Sequence, residues 1–162
     1  MKLRNLTDGE IDKIKNILKR YTTLEYVKNF PFNNLVVLED KNNTSIYYGT
    51  DEVISNLKNF KNINSIGMSF GIFEKGKFKL TLEGMDLIGK NIVKNYAVVN
   101  DKGETLFLYG RDILKSSIIK INGGGIIGIF NKRKEFLGIG SYGGGNVIKN
   151  IIDKGWYLRS GW

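Results

Sequence analysis

The sequence predicts an α+β fold, in which an N-terminal α/β domain with a mostly antiparallel sheet precedes a small β-barrel domain. Helical and alternating apolar patterns are mixed in the first 90 residues. Glycine then becomes common, since 13 of the 20 glycines lie in residues 91–162. Short apolar segments between turns in this second part are typical of a small barrel. We therefore expect one domain over residues 1–90 and another over residues 91–162.

The first domain is predicted to open on an amphipathic helix. Thr7 and Glu10 have the three-residue spacing of a capping box. Apolar residues then recur at helical spacing, which predicts a helix from about Asp8 to Tyr21. The segments NLVVLED and TSIYYG predict two strands joined by a turn, and Thr50 is positioned to cap a second, shorter helix.

The segment SIGMSFGIF predicts a strand with one large and one small face. Ile66, Met68, Phe70 and Ile72 alternate with glycine and serine. Because tiny side chains permit close backbone approach, we expect a helix to pack against the small face. A turn at EKG, a strand in KFKLTL and a short helix around EGMDLI complete this domain.

Six short strands are predicted for the second domain: NYAVV, TLFLY, SIIKI, IIGIF, FLGIG and WYLRS, with turns at NDKG and NKRK. In the last of them, alternation predicts that Trp156 and Leu158 face the core while Tyr157 and Arg159 face solvent.

A basic pair follows the predicted strand TLFLY. Gly110 interrupts the apolar run, and Arg111 and Lys115 then stand four residues apart, the spacing of one helix face. Either this is a solvated turn or it is a cationic lip that holds an anionic partner.

The composition excludes several classes of enzyme. The chain has no cysteine and no histidine, which removes disulfides, thiolate and imidazole metal ligands, and every catalytic triad that needs imidazole. The acidic residues are scattered and form no evident catalytic pair. No segment approaches the roughly 18–20 apolar residues of a membrane span, and the first residues lack a signal-peptide pattern. We expect a cytoplasmic protein with no membrane partner.

Two glycine motifs match the dinucleotide-binding pattern GxGxxG. They are GGGIIG, from residue 123, and GIGSYG, from residue 138. The fingerprint requires a helix after the motif to receive the pyrophosphate, and neither match leads into a long amphipathic helix. The sequence therefore predicts no bound nucleotide or other cofactor.

Positive charge is concentrated in the second domain. Residues 1–90 carry 14 basic and 11 acidic residues, an excess of +3, whereas residues 91–162 carry 11 and 5, an excess of +6. The excess is explained either by contact with a polyanion or by solubility alone. The basic residues alternate with aromatic ones, a combination that suits single-stranded RNA.

Two segments, GMSFGIFEKGKFKLTLEGMDLI and ETLFLYGRDILKSS, resemble the ribosome-biogenesis proteins of the Nip-seven type. In that family an α/β domain precedes a C-terminal PUA domain (pseudouridine synthase and archaeosine transglycosylase domain). The resemblance covers nearly the whole chain and is most specific in FLYGRDILKS. The end of the sequence lacks the longer tail of eukaryotic relatives and resembles archaeal members.

The resemblance implies a non-catalytic RNA-binding factor in large ribosomal subunit biogenesis and rRNA maturation, with RNA held by the PUA domain. It also implies association with exosome subunits and with the Shwachman–Bodian–Diamond ribosome-maturation protein. Two alternatives stay open: an RNA-modification enzyme, or enzyme subunit, that uses its PUA domain to present RNA, and a protein adaptor whose basicity is incidental. The RNA-binding residues implied by the resemblance are Gly110, Arg111, Lys115, Lys149, Lys154 and Arg159.

Overall fold

A computed structural model describes residues 2–59 and 66–160 of the chain. The chain separates into two compact units, each with its own sheet. The first unit comprises residues 1–19 and 23–87, and the second comprises residues 20–22 and those from Ile88 onward.

The first unit is built on an antiparallel meander. Its strands pair in the order of the sequence, from β1 to β5. The strands are β1 (Lys2–Arg4), β2 (Leu35–Glu39), β3 (Thr44–Tyr48), β4 (Met68–Glu74) and β5 (Lys77–Leu80). The helices are α1 (Asp8–Tyr21), α2 (Leu24–Asn29), α3 (Asp51–Asn56) and α4 (Leu82–Ile88). The mixed α/β architecture with an antiparallel sheet confirms the prediction for this part of the chain.

The predicted capping box forms at the start of α1. The Thr7 hydroxyl accepts a hydrogen bond from the Glu10 amide at 3.2 Å, and the Glu10 carboxylate accepts one from the Thr7 amide at 2.9 Å. Ile14 and Leu18 on the apolar face of α1 are fully buried. The helix thus satisfies its first backbone amides locally and gains its stability from packing.

The segment SIGMSFGIF contains strand β4, as predicted, but its large side chains do not all lie on one face. The register shifts where β4 pairs with β3, which leaves Phe70 as an extra residue and breaks the alternation. Phe70 is therefore buried, whereas Ile72 is 38% exposed. A helix does approach the strand closely, but through its own glycine: a Cβ at Gly84 of α4 would lie 1.9 Å from the Phe70 carbonyl oxygen.

The second unit contains a six-stranded sheet that nearly closes into a barrel. The strand order is β7-β11-β10-β9-β6-β8, with β6 and β9 parallel and the other pairs antiparallel. The strands are β6 (Tyr96–Val99), β7 (Ile113–Leu114), β8 (Ile118–Asn122), β9 (Gly125–Phe130), β10 (Phe136–Tyr142) and β11 (Val147–Asp153). The two edge strands, β7 and β8, are joined directly by a 3₁₀ turn. The predicted small barrel is confirmed.

The predicted strand TLFLY is instead the end of helix α5 (Asp101–Leu108). The Asn100 side chain caps this helix by accepting a hydrogen bond from the Gly103 amide at 2.8 Å, and Phe107 fills the barrel core. A run of three apolar residues is compatible with a buried strand or with a buried helix. Here the Asn100 cap favours the helix. The helical spacing read for Arg111 and Lys115 is also wrong, because β7 lies between them.

The predicted strand WYLRS is the short helix α6 (Trp156–Arg159). Trp156 is 47% exposed and Leu158 is 80% exposed, so the expectation that both face the core is wrong. The chain turns at Gly155, whose Cβ position lies 2.0 Å from the Leu108 carbonyl oxygen, and the sheet ends at Asp153. The alternation of side chains along a strand therefore does not apply to this segment.

Both GxGxxG matches lie in the sheet. The first leads into β9 and the second overlaps β10, and the next element after each is another strand. Within residues 2–59 and 66–160, no helix is long and apolar enough to cross a membrane.

Candidate nucleic-acid interface

The pairing of β7 with β11 brings several of the implied RNA-binding residues together. Ile113 lies opposite Ile148, and both are buried in the barrel core. Because side chains alternate along a strand, Leu114 and Lys149 face outward on the same side. The Lys115 amide donates a hydrogen bond to the Asn146 carbonyl at 2.8 Å, which places Lys115 beside the start of β11.

The loop after α5 is fastened to the same strand by Asn150. The Asn150 amide donates to a carboxylate oxygen of Asp112 at 2.9 Å, and its side-chain amide donates to the Phe107 carbonyl at 2.9 Å. A longer bond from the same side-chain amide to the Arg111 carbonyl, at 3.4 Å, places the Arg111 backbone beside Asn150, the residue that follows Lys149. The side chains of Arg111, Lys115 and Lys149 are all exposed.

Arg159 is engaged inside the second unit. Its guanidinium donates two hydrogen bonds of 2.9 Å to the two carboxylate oxygens of the buried Asp153, and a further one to the Leu108 carbonyl. The hydrogen bond with Asp153 raises the pKa of Arg159. Gly110 has a φ of +83°, and a Cβ there would lie 2.9 Å from the same guanidinium. Arg159 and Gly110 therefore shape the loop that presents Arg111.

Lys154 lies at the opposite end of β11 from Lys115. It follows the last residue of β11, and its ammonium stands 5.5 Å from the centre of the Phe136 ring. Lys115 lies beside the first residues of β11, so the length of the strand, about 20 Å at 3.3 Å per residue, separates the two lysines.

The segments that carry these cations also expose apolar and aromatic side chains, and sequence reasoning missed most of them. Tyr109 is 69% exposed and Leu114 is 55% exposed, although the apolar run suggested a buried strand for the first. Trp156, which was expected in the core, is also exposed, and its ring meets that of Tyr157 edge-to-face at 5.2 Å. We call the exposed residues along β7, β11 and the loop before β7 the β7–β11 strip: Tyr109, Arg111, Leu114, Lys115 and Lys149.

The first unit also has a surface cleft, of about 390 Å³, that contains carboxylates. Glu10 and Glu39 line it, and both are bound by Arg4, at 2.7 Å and 3.0 Å. The hydrogen bond from Arg4 lowers the pKa of Glu10, the opposite of what a general acid near neutral pH needs. The described residues form no group of three or more acidic side chains that could hold a metal ion.

Comparison with known proteins gives matches over most of the chain. Residues 3–82 match the NIP7/UPF0113 pre-PUA domain and residues 95–162 match the UPF0113 PUA domain. A UPF0113 protein of Archaeoglobus fulgidus is 28% identical over 174 residues, covering 98% of this chain and 95% of that protein.

Solved structures share the fold. A conserved PUA-domain protein from Thermoplasma acidophilum superposes with a TM-score of 0.62 at 16% identity, over 98% of this chain and 99% of that one. A protein from Pyrococcus horikoshii gives 0.63 at 16% identity, over 94% of both chains. The two domain matches lie in the order that the fold shows, and together they establish that this chain belongs to the NIP7/UPF0113 family, with a C-terminal PUA domain.

Proposed function

We propose that this protein is a non-catalytic, cytoplasmic RNA-binding factor that acts in large ribosomal subunit biogenesis and rRNA maturation, and that it holds single-stranded RNA on the β7–β11 strip. Family membership and the PUA domain support RNA binding. The observation that carries the proposal is the strip itself, where three exposed cations stand among exposed aromatic and aliphatic side chains.

The cations of the strip are available to an outside anion. No carboxylate of the described residues forms an ion pair with Arg111, Lys115 or Lys149, although most arginines of the first and second units do have one. Phosphates of an RNA strand would release counterions on contact with them. Tyr109 offers an exposed ring face on which a base can stack, and this contact tolerates many sequences.

The remaining implied residues receive different roles. Arg159 and Gly110 position the loop that carries Arg111, because the Arg159 guanidinium is already committed to Asp153 and Leu108. Lys154 would meet RNA at the far end of β11, where a longer strand passes.

The first unit supports a scaffold more than an enzyme. Its carboxylate-lined cleft holds Glu10 and Glu39 in ion pairs with Arg4, so these carboxylates serve the fold. We further propose that exosome subunits and the Shwachman–Bodian–Diamond protein are partners, as the family resemblance implies.

The strip can be tested by a triple substitution, Arg111→Ala with Lys115→Ala and Lys149→Ala. At a fixed low salt concentration, fluorescence anisotropy with a labelled single-stranded RNA should show a loss of affinity of about tenfold or more. The matched control is Lys19→Ala with Lys28→Ala and Lys77→Ala, which removes three exposed charges from the first unit. Equal losses of affinity in the two variants would mean that net charge alone explains the binding, and would contradict the proposed site.

The cellular role can be tested by crosslinking the protein to RNA in cells and sequencing the recovered RNA. We expect enrichment of precursor rRNA of the large subunit, and loss of that enrichment in the triple strip variant. Recovery of mainly messenger or transfer RNA would contradict the proposed role in large-subunit biogenesis while leaving RNA binding intact.

A further inference from the structure

A second surface of the barrel, separate from the β7–β11 strip, has features of a ligand site. A cavity of about 500 Å³ opens on the outer face of the second unit, a size within the usual range for small-molecule sites. We call it the lysine pocket. Its lining includes three lysines and an apolar floor: Lys90, Lys120, Lys134, Ile92, Tyr96 and Phe130.

The floor of the lysine pocket is set by strand register. Val98 of β6 lies between Lys120 of β8 and Phe130 of β9, so these three side chains stand in one row. Tyr96 lies two residues before Val98 and faces the same way, while its neighbour on β9 is Gly128. A Cβ at Gly128 would lie 3.2 Å from the Phe130 ring, so the absence of a side chain there lets the ring lie across the strand.

The mouth of the lysine pocket is strongly cationic. Lys90, Lys120 and Lys134 have exposed side chains, and none of the residues that line the pocket is acidic. In the described part of the chain, no carboxylate forms an ion pair with any of these lysines. The Lys120 ammonium is held 5.6 Å from the centre of the Tyr96 ring, directly over the floor.

This combination selects a particular chemical class of ligand. A free phosphate would be met by the lysines but would leave the apolar floor uncovered, and an apolar ligand would leave three cations unpaired. A ligand with an anionic group attached to a flat, largely apolar body satisfies both parts. A nucleotide has this form, since its base can take the place of the Lys120 ammonium over Tyr96 and Val98 while its phosphate meets the lysines.

We propose that the lysine pocket binds one nucleotide of the RNA that the β7–β11 strip holds, as a second and separate contact on the same domain. This inference rests on the proposed function. Strand β6 is three strands away from β11 in the sheet order, a separation of about 15 Å at 4.8 Å per strand. A single strand of RNA that leaves the strip can cover that distance.

The test uses the full chain and a single-stranded RNA of about 16 nucleotides, the upper end of site sizes for small barrel domains, with 4-thiouridine at each uridine. Crosslinked peptides are mapped by mass spectrometry. We expect adducts on the strip and also on the peptides that contain Tyr96 and Lys120. The double variant Lys90→Ala with Lys134→Ala should lower RNA affinity by about fivefold or more, because one nucleotide contact is lost.

A pocket-filling change separates the cavity from its charge. Val98→Phe keeps all three lysines but occupies the floor, and we expect it to remove the pocket adducts while the strip adducts persist. Adducts confined to the strip would overturn the inference and leave the proposed function standing, whereas no adducts anywhere on the second unit would overturn both. Unlabelled RNA and free uridine monophosphate are compared as competitors at the same nucleotide concentration. If uridine monophosphate blocks the pocket adducts as well as unlabelled RNA does, the ligand is a free nucleotide and the proposed RNA contact is wrong.

Discussion

At the scale of single residues, the second unit depends on one buried carboxylate. Asp153 is almost fully buried and receives two hydrogen bonds from Arg159 and one from the Asn150 side chain, at 3.0 Å. A buried ion pair adds modest net stability, but removing one partner leaves the other charge without compensation. Arg159 is partly exposed, so water can replace some of what is lost.

We expect Arg159→Ala to lower the free energy of unfolding of the second unit, through loss of the charge-assisted hydrogen bonds to Asp153. The two tryptophans of the chain, Trp156 and Trp162, both lie in the second domain, so tryptophan fluorescence during urea denaturation monitors that unit. Arg111→Ala, which removes an exposed arginine from the same unit, is the control. If the two variants unfold at the same urea concentration, Arg159 does not hold the unit together.

The Arg4–Glu10 pair makes the stability of the first unit depend on pH. The hydrogen bond from Arg4 lowers the pKa of Glu10 in the folded chain. Its contribution to stability is therefore full above the pKa of the unfolded state, about 4.3, and is lost as the pH falls through the lower folded value.

We expect the helical structure of the chain, followed by far-ultraviolet circular dichroism, to be lost at a lower urea concentration at about pH 3 than at about pH 7. Glu10→Gln should reduce this difference, because glutamine does not titrate and bonds to Arg4 in the same way at both pH values. An unchanged difference in Glu10→Gln would assign the pH dependence to other carboxylates.

At the scale of secondary structure elements, local signals predicted most of the fold, and tertiary contacts decided the rest. The capping box predicted α1, and short apolar segments between turns predicted β6 and β9. The segment before Gly110 was misread because Phe107 is buried equally well by a strand or a helix, and only the cap at Asn100 distinguishes them. The segment at Trp156 was misread because a four-residue helix carries no periodicity.

The same limit applied to the candidate site. The resemblance supplied its cations, but the spacing gave no indication that Arg159 is bound to Asp153, since the two become neighbours only through the turn at Gly155. Nor did the sequence reveal that Tyr109 is exposed, because that depends on where α5 ends.

Packing of α4 on β4 depends on a glycine. A Cβ at Gly84 would overlap the backbone of Phe70, so we expect Gly84→Ala to destabilise the first unit by about 1–3 kcal/mol, the usual cost of overpacking. Hydrogen exchange of peptides from β4 and α4, read by mass spectrometry, would report the loss.

The matched control for that change is Gly9→Ala in α1, where nothing lies within 4 Å of the added Cβ. Alanine favours a helix over glycine, so this variant should be more stable than the wild type by about 0.5 kcal/mol. If Gly84→Ala also proved neutral or stabilising, the close approach of α4 to β4 would be wrong.

At the scale of the whole molecule, the proposed function gives two domains separate tasks, a scaffold in residues 1–90 and an RNA-binding domain in residues 91–162. We expect limited proteolysis to give two resistant fragments that part near residue 90, because segments between compact units are the preferred sites of cleavage. A single resistant core that resists division would contradict this domain organisation.

In the proposed function, Arg111, Lys115 and Lys149 neutralise phosphates of single-stranded RNA. The most direct test is the slope of log affinity against log salt concentration, measured for the wild type and for the triple alanine variant at these positions. Each neutralised phosphate of a single strand contributes about −0.7 to the slope, so three contacts predict that the variant slope is shallower by about 2. The control variant at Lys19, Lys28 and Lys77 should keep the wild-type slope. A strip variant whose slope equals that of the wild type would contradict the claim, even if its affinity were lower.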